Sequence, residues 1–496
     1  MQTTKIFLMA ALALMTVACS NDDSDIQTPA EQPAKAVGIP FTATISMGES
    51  ASTRALAEDN VNNKIVATWE TGEKVALIYD AGGTPAITNA TVTKQTDGTA
   101  TISATLASGA TNGSAVTIIY PSDAADGTTG NVKANLLAAQ NGTLTGTGGT
   151  SIAEKYDVRK GTGKLSINAG GATVNNGTAG TPVALAAQNA IFKFTIQDLS
   201  AADKDASKFF VSDDEGNVIT IVTPGSATDE LYVALPVMTA GTYWFNATIG
   251  EKPYIAKATT AADTEVGKYY QTTVKMATIG DVILSNGSFA VKGTDTEQAV
   301  IANIGYLPGY FDRFIAIALT DNRRNLRCKW NNVAEYVNEY ATAHAITICG
   351  TTYNTNAIGN NCYDKTNSSY ETTTAPTALV KGWRLPSVTD WNYVFYGISS
   401  ITSSSGTRTR TSLPMSVPVD FPHGTSEPSA YRTAINTACG NDALQPNEYW
   451  SSSEQQDNSN SKAVYGFNED NSKKGFHYLN KGNSFSLAYV RAVFAY

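Results

Sequence analysis

The chain has 496 residues, only 16% of them charged, and a formal net charge of −9. That length suits about three domains, and with no cluster of basic residues the electrostatic footprint of phosphate-backbone binding is missing, so nucleic acid is not an expected partner. After Cys19 no apolar stretch is long enough to serve as a membrane-spanning helix.

The first element is a leader. Lys5 opens it, an apolar run extends from Ile6 to Ala18, and Cys19 closes it behind two small residues. About 20 residues are needed to cross a bilayer with loose ends, so this run reads as a signal peptide over residues 1–18. Cys19 occupies the place where bacterial lipoprotein signals carry the acylated residue. A thioether-linked diacylglycerol with an amide-linked chain gives the multi-chain anchor that stable attachment to the outer membrane requires. An ordinary cleaved signal with an incidental cysteine is the rival reading. Asn21 to Asp25 resembles the surface-export tag of Bacteroidetes lipoproteins, although a solvated linker has the same composition. Residues 19–37 form an acidic, polar, Pro/Ala-containing tether.

From Gly38 to about Met276 short alternating segments are divided by Gly, Asn, Asp and Thr clusters. Strands are expected at Phe41–Ile45, Lys74–Tyr79, Ala115–Tyr120, Ile191–Ile196, Leu231–Leu235 and Tyr269–Met276. This spacing, with no long helical period between the strands, predicts antiparallel β-sandwiches. The Gly/Thr/Asn-rich stretch around 140–180 is expected to separate two of them, at 38–160 and 161–277. The abundant Thr is a β-propensity signal and marks no site.

Beyond residue 278 the pattern becomes α+β. Trp330, Val333, Val337 and Tyr340 recur at three- and four-residue spacing and predict a helix within Asn325–His344. A second helix is expected after Pro386, with Ser387 as N-cap and Asp390 three residues on, and Val388, Trp391, Val394 and Phe395 as its apolar stripe. Strands return at Ala463–Phe467 and Ala488–Phe494. Apart from Cys19, the cysteines are confined to this part, as Cys328, Cys349, Cys362 and Cys439. An even number in an exported domain predicts two disulfides of undetermined pairing. Free thiols are the alternative. A zinc site lacks C-x-x-C spacing, with only His344, His423 and His477 to help.

Phe41–Ile45, then Ser52-Thr53-Arg54-Ala55, then Trp69-Glu-Thr-Gly-Glu-Lys-Val75 resemble the start of the Bacteroidetes fimbrillin-like proteins, the subunits of the type V pilus. Gly267–Met276 resembles the closing strand of that family's second sandwich, so the resemblance covers about 38–276. It implies lipoprotein precursors cut by an outer-membrane protease after an arginine that follows the first strand, a position Arg54–Ala55 matches. Removing residues 20–54 would take Phe41–Ile45 out of its sheet and leave a groove for a strand of a neighbouring pilin subunit. The plainer alternative makes Arg54 a solvated loop residue of a lipoprotein never cut there. A loop between strands is also what a protease reaches.

Gly382-Trp383-Arg384-Leu385-Pro386, Tyr449-Trp450-Ser-Ser-Ser-Glu454 and Tyr489-Val-Arg491-Ala-Val493, in this order, resemble the C-type-lectin-like domains of many Bacteroidetes surface lipoproteins. The strand–turn–strand Gly280–Phe289 resembles their opening, and coverage is 278–496. Trp383, Arg384, Trp450 and Arg491 are expected to be architectural: the tryptophans anchor a small core, and the arginines pair beneath the loops, with Glu454 as the obvious partner. Glycan or surface-protein contacts are expected from the loops 352–374, 399–416 and 457–483. Gln445-Pro446-Asn447-Glu448 is similar to the calcium tripeptide of true C-type lectins. The partner W-N-D motif is missing, so a tight turn is the better account and no metal or other cofactor is expected.

Formylglycine-generating enzymes share a W-R-L-P-like segment, but no cysteine here has the spacing or flanks of their reactive pair. G-x-S-x-G, H-E-x-x-H and P-loop signatures are missing, and no enzyme activity is expected. The reading is a mainly β chain in which two fimbrillin-like sandwiches precede a lectin-like domain. It predicts a tip subunit and adhesin of a type V pilus. The alternatives are a non-polymerising surface lipoprotein that binds a glycan or protein, and a structural stalk or anchor subunit.

Overall fold

A computed structural model of the chain describes residues 38–47, 57–59, 64–66, 68–146, 150–176, 181–250, 252–293, 296–305, 313–321, 332–357, 381–386, 390–391, 394, 400–403, 406–409, 430–440, 449–454, 463–468, 475–480 and 489–496. Its described part is mainly β, organised in several sheets. All six strands expected between residues 38 and 276 form, each within a residue or two of its expected bounds.

Period-two alternation shapes the leading strand, Ile39–Ser46. Phe41, Ala43 and Ile45 are buried, while Pro40, Thr42 and Thr44 face outward. Ile39–Ile45 pairs antiparallel with Ala100–Leu106 along its length. The sheet continues through Pro85–Lys94, Lys74–Asp80, Ala115–Tyr120 and Arg159–Asn168, and Arg159–Asn168 pairs with Gly171–Asn175. Gly171–Asn175 then meets the leading strand at Phe41↔Ala172, so the ring closes round one core. Trp69, Leu77, Val92, Ile102, Ile118 and Leu165 fill that core, with Trp69 edge-on to Tyr120 at 5.3 Å.

The second sheet runs in the order Glu230–Leu235, Ala190–Asp198, Tyr269–Thr278, Lys252–Thr260, Gly241–Ile249, Ala206–Asp213, Val218–Val222 and Ala139–Gln140. Between Tyr269–Thr278 and Lys252–Thr260 only Tyr254↔Thr278 and Ile255↔Ala277 pair, so the sheet turns there into two layers. Phe194, Phe209, Val211, Leu231, Phe245 and Met276 pack between them. Sandwich-like architecture is therefore observed, but the sheets are mixed. Ala190–Asp198 runs parallel to Tyr269–Thr278 from Ile191↔Tyr269 to Asp198↔Met276, because the hairpins between them return the chain in the same sense.

The stretch around 140–180 is not a separator. The expected division at 160/161 falls inside Arg159–Asn168, and the first sheet continues to Ala186–Ala187 before the long strands of the second begin at Ala190. Its small residues serve close packing instead: a Cβ at Gly161 would lie 2.6 Å from Leu185 Cδ2, and one at Gly163 2.3 Å from Val174 Cγ1. Ahead of these strands, Ala139–Gln140 joins the edge of the second sheet. Gln140 Nε2 donates to Ala234 O at 2.7 Å, and Ala234 N donates back to Gln140 Oε1 at 2.9 Å.

The C-terminal part is α+β. Its six-stranded sheet has the order Phe289–Ala290, Val282–Leu284, Glu297–Ile304, Phe314–Ala318, Val493–Ala495, Gly382–Arg384. Phe314–Ala318 is wholly apolar, and Glu297–Ile304 is buried from Ala299 onward, because both faces of the sheet are covered. The helix Val333–Ala343 packs on one face through Val333, Val337 and Tyr340. The helix Ala430–Cys439, which sequence analysis did not anticipate, packs on the other through Ile435, Ala438 and Cys439. No helix among the described residues is long and apolar enough to cross a membrane.

Candidate functional site

Two places carry the functional question: the seat of the leading strand, and the segment that closes the C-terminal sheet. In the seat, Phe41, Ala43, Ile45 and Met47 line one side of the first core. The antiparallel neighbour supplies a full ladder. The other flank supplies Phe41↔Ala172 and, parallel, Ile45↔Val183 and Ser46↔Ala184. Past the last paired residue, Leu185 N donates to Ser46 O at 2.8 Å. Arg159 then reaches across, donating from Nη1 to Met47 O at 2.8 Å and from Nε to Asp157 Oδ2 at 3.1 Å. Arg159 is 5% and Asp157 4% exposed, so this is a buried charge-assisted contact.

Glu73, in the Trp69–Val75 segment, lies within electrostatic reach of Asp157. Burial pushes its carboxyl up to about 7, against a hydrogen bond from the Glu70 amide, with the charge of Asp157 adding to the rise and Lys94 opposing it. Glu73 therefore changes charge within the physiological range. Cys19, Arg54 and Ala55, where lipidation and cleavage are expected, lie outside the described residues.

In the C-terminal sheet, Val493–Ala495 is an interior strand. It pairs with Ile315–Ile317 on one side and Gly382–Arg384 on the other. The expected strand Ala488–Phe494 is shorter and later: Tyr489 makes only an isolated bridge to Tyr449, and regular pairing starts at Val493. Arg491 lies between the bridge and the strand. Its guanidinium is buried and donates from Nε to Ala318 O, from Nη2 to Leu319 O and from Nη1 to Asp321 Oδ1, at 2.8, 2.7 and 3.0 Å.

Trp383, Leu385 and Pro386 are buried, and Trp383 Nε1 donates to His344 O at 2.9 Å. Arg384 is wholly buried and grips Asp390 with Nη2–Oδ1 at 2.8 Å and Nε–Oδ2 at 3.3 Å. Asp390 is held by Arg384 and Asp321 by Arg491, while Ser387 and the side chain of Glu454, the other expected partners, lie outside the described residues. A buried guanidinium needs a buried anion. Trp450 stands on Tyr449–Glu454, opposite Gly466.

Cys349 and Cys439 carry free thiols, so the free-thiol alternative holds for these two; Cys328 and Cys362 lie outside the described residues. Burial pushes the Cys439 thiol up although Arg491 beside it opposes the shift, which keeps it from acting as a thiolate. Cys349 Sγ donates to Asp214 Oδ1 at 3.1 Å. The same oxygen receives Trp244 Nε1 at 2.9 Å and the Tyr496 hydroxyl at 3.2 Å. Burial alone would raise Asp214, but these three donors hold its carboxyl below the usual range. Asp214 thus ties the second sandwich to the C-terminal sheet, where Trp244, Ile255 and Ala277 share one core with Phe314, Phe494 and Tyr496.

Among the described residues no group of His, Cys, Asp and Glu is placed to hold a metal ion. Gln445, Asn447 and Glu448 lie outside them. So does most of the three loops proposed for ligand contact, apart from such pieces as the hairpin Ser400–Ser403/Gly406–Thr409.

No family model matches the chain and no curated protein matches it. Similar solved structures include fimbrial proteins. A fimbrial protein of Bacteroides ovatus is 10% identical, with a TM-score of 0.24 over 92% of this chain and 99% of its own. The tip fimbrial protein Mfa3 of Porphyromonas gingivalis, with C-terminal truncation, is 9% identical, with a TM-score of 0.25 over 48% of this chain and 98% of its own. At these values the likeness carries no argument, and the functional reading rests on the chain itself.

Proposed function

We propose that the chain is a subunit of a type V pilus, exported as an outer-membrane lipoprotein and acylated at Cys19. Cleavage between Arg54 and Ala55 frees it, and a strand from a neighbouring subunit replaces Ile39–Ser46. The observation that carries the reading is the seat of that strand. Removing Ile39–Ser46 strips one apolar face of a closed core and one full ladder; among the described strands of that sheet the two-residue Val183–Ala184 loses its ladder partner and the longer strands each keep one. Burying Phe41 and Ile45 stabilises by about 1.5–3 kcal/mol each, so the empty groove would draw in a strand with the same alternation.

Residues 278–496 form a lectin-like adhesin domain at the tip, which binds a glycan or surface protein through its loops and performs no catalysis. Support for a tip position over a stalk or anchor comes from Val493–Ala495. Held on both sides within its own sheet, it is not a strand the folded subunit can lend. N-terminal sequencing of the protein taken from the cell surface tests the scheme. A start at Ala55 is expected. A blocked, acylated Cys19 as the only mature end would mean a permanently tethered receptor.

A further inference from the structure

The leading strand ends in a contact that its β-ladder does not explain. Backbone pairing accounts for Ile39–Ser46, and any strand of similar alternation can reproduce it. Arg159 instead holds the carbonyl of Met47, just past the last paired residue, from a guanidinium fixed by Asp157. Both charged side chains are buried, and the grip spans 112 positions of sequence. Met47 is also the last described residue before the segment that carries Arg54. A cut after Arg54 makes the Met47 end the new free terminus, and a displacing strand entering there meets Arg159 first.

We infer that Arg159, oriented by Asp157, is the latch that retains the leading strand after cleavage and sets the rate at which it leaves its seat. The inference rests on the proposed excision of that strand and adds its regulation. Arg159 acts as a positioning residue: it holds the strand end through one backbone carbonyl, and the apolar groove supplies the rest of the affinity. A latch of this kind keeps the core covered between cutting and the arrival of a partner strand, when an open groove would otherwise aggregate.

The test follows strand release from the full exported chain. The protein is cut with an Arg-specific protease under limited conditions, with excess synthetic peptide spanning residues 38–54 carrying an isotope label. Native mass spectrometry then reads the replacement of the unlabelled strand over time. Arg159→Lys keeps a cation beside Asp157 but loses the fork that reaches Met47, and Asp157→Asn loosens the arginine while leaving it in place. A charge-assisted hydrogen bond corresponds to roughly 10- to 100-fold in rate, so release about that much faster is expected in Arg159→Lys, and a smaller acceleration in Asp157→Asn. Val75→Ala, in the same core on a strand that does not pair with the leading one, is the control for general destabilisation.

Release of Arg159→Lys at the parent's rate, or acceleration matched by a Val75→Ala variant of equal stability, overturns the latch while leaving strand excision intact. A bond after Arg54 that resists cleavage in the folded protein, or a cut strand that never exchanges in any variant, overturns excision and the latch together.

Discussion

Two short apolar strands at opposite ends of the described chain are held in contrasting ways. Ile39–Ser46 alternates, buries one face, and has a full ladder on one flank with three paired positions on the other. The closing segment from Val490 to Tyr496 is buried throughout, and its strand is paired on both sides. Withdrawing the first opens a groove along one core. Withdrawing the second would split a sheet and expose the cores on both of its faces. The contrast teaches which strand the fold can exchange: one held mainly by a ladder on one flank and one-faced burial, and not one paired on both sides between two cores.

The largest effects should come from attacking both anchors. Arg491→Met removes the buried cation paired with Asp321 at 3.0 Å and should cost about 3–5 kcal/mol, read as a lower urea midpoint for the C-terminal part. Phe41→Ala should cost about 3–5 kcal/mol in the uncut chain. It should leave the protein that starts at Ala55 and has released its leading strand unaffected, because that protein no longer contains Phe41. Equal losses in uncut protein and in protein that has released the strand would erase the distinction between the strands.

Asp214→Ala removes the common acceptor of Trp244, Cys349 and Tyr496. A loss of about 1–3 kcal/mol is expected, together with separation of one unfolding transition into two in calorimetry, as the second sandwich and the C-terminal sheet uncouple. The smallest effect is the pH dependence of the seat. Glu73 is raised in the folded chain from the ordinary value of 4.5 to about 7. Its stabilising contribution is therefore complete below pH 4.5 and is lost as pH rises through about 7. Glu73→Gln should flatten the stability of the first sandwich across that window, measured by urea titration at several pH values.

Alternation made the strands legible. Phe41–Ile45 and Ile191–Ile196 announce one buried face, and three- and four-residue spacing announced the helix that is described at Val333–Ala343. Composition misled at 140–180, where glycines that allow close strand packing look the same as linker glycines. The helix Ala430–Cys439 went unread because Ile435, Ala438 and Cys439 make a thin stripe among Thr and Asn. The pairings that matter most are long-range. Arg491 meets Asp321 across 170 positions and Arg159 meets Met47 across 112, and neither separation leaves a local pattern.

The central claim is that the leading strand must be cut out before the subunit can assemble. The most direct test is to express Arg54→Ala in place of the parent and to assay purified fibres for the subunit by immunoblot. The account predicts that the variant stays full-length at the cell surface and is missing from fibres. Incorporation at the parent's level, with residues before Ala55 still attached, would contradict it.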